Sequence, residues 1–301
     1  MRRRFESRRS WSRGANKMRV HLIVSLFLVV LLGASLREDP PARQEETKKS
    51  AWLHEIYVRE ASAYEFYQDA AKRQKLELRR EPVMRWSSDA DYHGEVYVWT
   101  HRGRPGIVGC MFSGPQGDSA RRIMHEFHSL APQPLVAGAR GGTGWLPQEP
   151  GITLQPVSDA PQPADNEARR LTQMRDLARR FSAHMATPES KWDLRLLPQP
   201  IYRYERTDED SPVVDGAVFA YVWTIGTDPE VLLVIEARRT DGEVRWHSAP
   251  ARFTNRQAWV KYQDREIWRV DAATVGIFDG VTSKRYGAFS VKTVPNPQET
   301  R

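Results

Sequence analysis

The 301-residue chain carries 45 Lys and Arg against 38 Asp and Glu, a formal charge of +7 with a pI near 9.6, which by itself suggests a nucleic-acid binder. Eight of the basic residues stand within residues 1–35 against the single acid Glu6, so the remainder is neutral and offers no charged face to a phosphate backbone. Cys110 is the one cysteine, which excludes an intrachain disulfide; its apolar run, Ile107 to Phe112, suits a small packed hydrophobe rather than a nucleophile.

Residues 1–35 read as a targeting segment. Basic residues precede the apolar run Leu22 to Leu32, which suits a signal-peptide core better than a membrane span of roughly 20 residues. Small residues at Gly33 and Ser35 place cleavage after Ser35. The alternative is an uncleaved anchor through residues 20–36, which is also the sole membrane contact expected. Residues 18–35 form a compact signal peptide by themselves, making Met18 an alternative start. Ser7-Arg8-Arg9-Ser10-Trp11 partly resembles a twin-arginine signal, but the strongly apolar core argues for ordinary export of an unfolded chain. A periplasmic or extracellular protein is the expectation.

Residues 36–50 are polar and proline-bearing, a linker. Residues 51–73 then repeat apolar side chains at three- and four-residue steps (Trp52, Ile56, Ala63, Tyr67, Ala70), which predicts a helix. From Leu76 the period changes to two. Strand signals follow at 76–78 and 83–86, interrupted by Pro82, and then a hairpin turns at Arg102-Gly103. A further strand runs from Arg122 to Leu130. Residues 51–131 make a first half, and the Pro/Gly-rich stretch 132–164 a crossover with a short strand in 151–157. A second half, 165–270, opens with a helix predicted over 165–186, capped by Asp165 or Asn166 and presenting Leu171, Met174, Phe181 and Met185. Both faces of 217–223 are apolar, as in a central strand covered on both sides. Asp241-Gly242 signals a type I′ hairpin, 258–270 a last hairpin, and 271–301 a partly disordered extension with one more pair around Asp279-Gly280.

The halves echo one another. Pro82, Arg85 and Trp86 match Pro200, Arg203 and Tyr204, and Gly94, Trp99 and Thr100 match Gly216, Trp223 and Thr224. His128-Ser129 falls opposite His247-Ser248. The predicted fold is therefore α+β, two tandem related halves of one helix and one antiparallel meander each. It is analogous to cystatin-like and NTF2-like rolls, whose curved sheets make pockets.

Chemical signals are sparse. His125-Glu126-Phe127-His128 is the most suggestive cluster and gives the catalytic candidates His125, Glu126 and His128. On a strand the two histidines face opposite sides and cannot share a metal. Arg85 and Arg203 offer planar donor forks for a ligand carboxylate, a salt bridge or stacking on Trp86 or Tyr204 being the alternative. Trp99 and Trp223 read as core tryptophans packed against the helix of each half, with a paired ligand site as the alternative. No phosphate loop, nucleophile elbow or metal-ligand spacing occurs, so no cofactor and no metal are expected.

The strings HEFHSLAP, LRLLPQPIYRYE and GTDPEVLLVIEARR resemble those of exported proteins of planctomycete bacteria, over roughly residues 51–270. That resemblance implies export and bacterial origin and carries no activity. The leading functional reading is a non-enzymatic exported module binding a small molecule or partner protein through a sheet face or the groove between halves. The alternatives are an enzyme with an NTF2-like cavity and a structural envelope protein.

Overall fold

A computed structural model describes residues 41–138, 145–205, 211–224, 226–273 and 284–297. The chain divides into two units, 1–48 and 49–301, and of the first only the opening of helix α1, Pro41–Ser62, is described. The rest concerns the second unit.

Its strands in the first part are β1 (Phe66–Tyr67), β2 (Glu77–Leu78), β3 (Met84–Ser87), β4 (His93–His101), β5 (Arg104–Pro115), β6 (Ala120–Ser129), β7 (Val136–Ala137) and β8 (Gln155–Pro156). Helix α2 (Glu167–Ala178) follows. Then come β9 (Phe181–Ala186), β10 (Lys191–Leu196), β11 (Tyr202–Arg203), β12 (Val213–Val222), β13 (Pro229–Thr240), β14 (Glu243–Arg252), β15 (Gln257–Tyr262), β16 (Arg265–Val270) and β17 (Tyr286–Pro295). All pairing is antiparallel. One sheet runs β17-β6-β5-β4-β2 with β3 beside β4, the other β16-β15-β9-β10-β12-β13-β14-β8 with β11 beside β12, and β1 pairs β7.

The long strands are apolar on both faces because both faces are covered. Val96, Val98, Val108 and Cys110 of the first sheet meet Val218, Ala220, Leu232 and Val234 of the second in a shared layer. The opposite face of the first sheet (Tyr97, Trp99, Ile107, Phe127) lies under Leu53, Ile56, Tyr57 and Ala61 of α1. The second sheet curls into a half-barrel around α2, whose Met174, Leu177 and Ala178 pack among Phe219, Tyr221, Leu233, Ile235 and, from its far strands, Met185 and Val260.

This overturns the predicted α+β class. The described chain is 49% strand and 13% helix, with two helices, and the sheets stack on one another instead of each forming a helix-and-meander roll. The concave face that would enclose a pocket is filled by α2 side chains. Two helix predictions overran. Backbone turning back at Ala63 and Tyr64 ends α1, and Phe66 enters β1, where it sits fully buried against Trp99 and Trp145. The second helix starts as expected, with Asn166 Oδ1 accepting the Arg169 amide at 2.9 Å, but stops at Ala178. Phe181 to Ala186 also alternates with period two, and pairing with β10 on one side and β15 on the other decides for strand. At the front, the polar stretch 41–50 is helical. The pair around Asp279-Gly280 lies outside the described residues; within the C-terminal stretch, β17 pairs β6 along nearly its whole length.

Both sheets nonetheless run their strands in one order, β2-β4-β5-β6 and β10-β12-β13-β14. The echoed glycines occupy like positions. A Cβ on Gly94 would stand 2.4 Å from the Trp86 ring, and one on Gly216 would stand 2.5 Å from the Tyr204 ring. Turn chemistry is plain where Asp241 and Gly242, at φ 52° and 83°, link β13 to β14.

Candidate functional site

The two sheets stack through apolar side chains in their middle, but at one end polar side chains converge on that layer. On β6, Phe127 and His125 turn toward α1 while Glu126 and His128 turn toward the second sheet, as strand alternation requires. Tyr286 of β17 lies opposite His128 in register and donates its hydroxyl to Glu126 Oε1 at 2.6 Å. From the second sheet, Glu230 at the start of β13 accepts Arg256 Nη1 at 3.2 Å and a bond from Thr254. Asp228 stands just ahead of it, half-buried.

Burial dominates the protonation of this group. It pushes Glu126 up to about 8, with the Glu230 carboxylate adding to the rise and Arg252 and Arg256 opposing it, so Glu126 is largely protonated at neutral pH. Asp228 and Glu230 are likewise raised by desolvation, and Asp228 also by the charges of Glu230 and Glu126. His128 is pushed down to about 3 by burial and nearby Arg252 and Arg285, and its neutral ring donates Nδ1–H to the Ser129 carbonyl at 2.7 Å.

In front of this cluster opens a cleft of about 400 Å³, walled by residues of both sheets: Arg252, Asn255, Arg269, Asp271, Lys284 and Tyr286 among them. Arg252 sits over the Tyr286 ring, 4.9 Å from its centre, and donates Nε to the Thr254 carbonyl and Nη2 to those of Arg256 and Asp271, at 2.9–3.0 Å. Burial lowers its pKa. Tyr286 separates Glu126 from the cleft, and Glu126 is absent from its walls. A proton carried there does not reach a molecule in the cleft directly.

The sequence candidates are scattered. His125 is fully buried beneath α1, with Nδ1 2.7 Å from the Tyr64 hydroxyl and Nε2 3.6 Å from Glu60, inside an aromatic cluster with Phe127 and Phe289. Arg85 is held by Glu95 at 2.9 Å, the same carboxylate that His54 of α1 reaches. Arg203 is held by Asp215 at 2.8 Å together with Arg170 of α2. Each arginine thus helps clamp a helix to its sheet. Trp99 is fully buried, with Phe66 edge-on at 5.4 Å. Glu126 and His128 are the candidates that lie within the polar cluster, and Trp223 approaches it, under Arg256 at 5.2 Å and beside Trp192. Cys110 is buried, accepts the Trp86 indole N–H at 3.3 Å, and burial raises its thiol well above the usual range. Among the described residues no His, Cys, Asp and Glu cluster has metal-site geometry.

Sequence reading missed Arg252, Arg256, Glu230 and Tyr286. Glu230 carried a signal, an acid opening the apolar run Val231 to Ala237. Tyr286 carried none, because its partner lies 160 residues away.

What the fold and cleft define is a mostly antiparallel β protein with a polar cleft at the seam of two stacked sheets. Comparison with family models, curated proteins and solved structures gave no match in any of the three.

Proposed function

We propose that the protein is an exported, non-enzymatic binding module whose small-molecule site is the cleft between the two sheets. The supporting observation is the cleft itself: about 400 Å³, within the range of small-ligand sites of roughly 300–1,000 Å³, with polar and charged side chains from both sheets set among small apolar ones such as Val270, Ala272 and Ala288. A non-enzymatic reading is favoured because Glu126, whose pKa burial raises to about 8, is screened from the cleft by Tyr286. Export rests on the leader. No helix among the described residues is long and apolar enough to cross a membrane, and the leader lies outside them.

A small-molecule fragment screen by amide NMR on the full chain tests the site. Hits are expected to shift Asn255, Asp271 and Gly287, and hits confined to other surfaces reject it. Mass spectrometry of envelope and medium fractions tests export, with a mature N-terminus expected near residue 36. An intact leader in those fractions rejects cleavage, and a cytoplasmic protein rejects export.

A further inference from the structure

The charges around the cleft point to the class of its ligand. Four basic side chains, Arg252, Arg269, Lys284 and Arg285, face two acids, Glu149 and Asp271. Two of the four are engaged. Arg269 pairs with Glu266 and lies over the Trp259 ring, and Arg285 approaches Glu149 at 3.5 Å. The other two form no ion pair: among the described residues, no carboxylate comes within ion-pair range of Arg252 or Lys284, although the Asp271 carboxylate acts on Arg252 from farther off.

Arg252 is the anchor. Its Nε and Nη2 are fixed by three backbone carbonyls and its plane by the Tyr286 ring, which leaves Nη1 without an acceptor among the described residues. A guanidinium held this rigidly, with part of its donor fork unused in a partly desolvated cleft, is pre-organised for an oxyanion. Glu126 stands behind Tyr286, outside the cleft walls, so it does not compete directly for the unused donors of Arg252. The Lys284 backbone is also fixed, its carbonyl accepting the Trp145 indole N–H at 2.8 Å.

Resting on the binding-module reading, we propose that the cleft recognises an anionic group, a carboxylate or phosphate monoester, through Arg252 and Lys284. The full chain, kept in mild detergent if its leader is retained, is titrated with inorganic phosphate and with acetate separately at constant ionic strength. Saturable amide shifts around Gly287 and Asp271 are expected with at least one. Saturation by phosphate alone assigns a phosphate ligand, and by acetate alone a carboxylate. Because Arg252 variants risk unfolding the 252–256 loop, exposed Lys284 carries the decisive variant. Lys284→Glu is expected to weaken binding about tenfold or more, with an unchanged melting temperature. If neither anion saturates the site, or Lys284→Glu binds them as tightly as the parent, the anion proposal falls. Neutral fragments seated in the cleft would then leave the binding-module reading standing, whereas fragments binding only elsewhere would remove both.

Discussion

Two tryptophans that match in sequence have different surroundings, and their truncation separates packing from surface contact. Trp99 is fully buried between Phe66 and Phe127, so Trp99→Ala is expected to cost about 3–5 kcal/mol, a large share of a typical domain's stability. Trp223 is half-buried beyond the end of β12 and stacks with Arg256, so Trp223→Ala is expected to cost about 1 kcal/mol. Denaturant melts of both variants check this, and equal losses would contradict it. Glu126 and His128 give a pH signature. Glu126 is raised from 4.5 to about 8, so its contribution is full below pH 4.5 and is lost as pH rises toward 8. His128 is lowered from 6.5 to about 3, so its contribution is present above pH 6.5 and lost as pH falls toward 3. Between 4.5 and 6.5 the two slopes oppose; above 6.5 only the acid slope remains. Stability is expected to peak at mildly acidic pH and decline toward pH 8. Glu126→Gln should reduce that decline by up to a few kcal/mol without abolishing it, because Asp228 and Glu230 are raised in the same direction. Urea midpoints at pH 5.5 and 8.5 decide, and an unchanged slope in the variant would refute the assignment.

At the scale of elements, what the sequence showed depended on how local the determining contact is. Asp241-Gly242 announces its hairpin because the turn geometry belongs to those two residues. The two-faced apolar pattern of 217–223 announced a covered central strand, since a strand's neighbours impress themselves on every side chain. The span 181–186 was ambiguous: Phe181 and Met185 satisfy a helical step, while Phe181, Ala183 and Met185 satisfy a strand step. Tertiary pairing with two neighbouring strands broke the tie. Strand β17 had no local signature of its partner β6. The matched glycines yield a test at this scale. Gly94 and Gly216 allow the rings of Trp86 and Tyr204 to lie flat on their strands, and a methyl group would collide with either ring. Gly94→Ala and Gly216→Ala are each expected to cost about 1–3 kcal/mol by overpacking. Gly94→Ala paired with Trp86→Ala should lose less than the sum of the two single changes. Strict additivity would show that the ring is not what excludes the methyl.

For the whole molecule, the decisive feature was invisible in the chain: two sheets, each read as the partner of its own helix, use their remaining faces to bury one another. The apolar part of that contact is conventional, but its far end holds an ion pair. Arg104 of β5 reaches across to Glu236 of β13, donating Nε to Oε1 at 2.8 Å. Glu236 is fully buried and also accepts Tyr204 at 2.7 Å and Arg238 at 2.6 Å. Burial alone would raise its pKa, yet Arg104, Tyr204 and Arg238 together hold it below the usual value. Removing the cation is therefore costly out of proportion to one bond, because it leaves a desolvated carboxylate short of charge. Arg104→Leu is expected to lose about 3–5 kcal/mol, and Glu236→Leu a similar amount by stranding the guanidinium. Replacing both charges at once returns part of the loss, since an apolar pair suits the surrounding layer of Val218, Leu232 and Val234. The cycle is expected to show a coupling of about 1–3 kcal/mol. If the pair joins two sheets that fold together, all three variants should still unfold in a single transition. Separate transitions for the two sheets in the double variant, or additive single losses, would mean that this pair does not couple the sheets, leaving the apolar layer and contacts such as Tyr202 Oη to the Gly103 carbonyl to hold them.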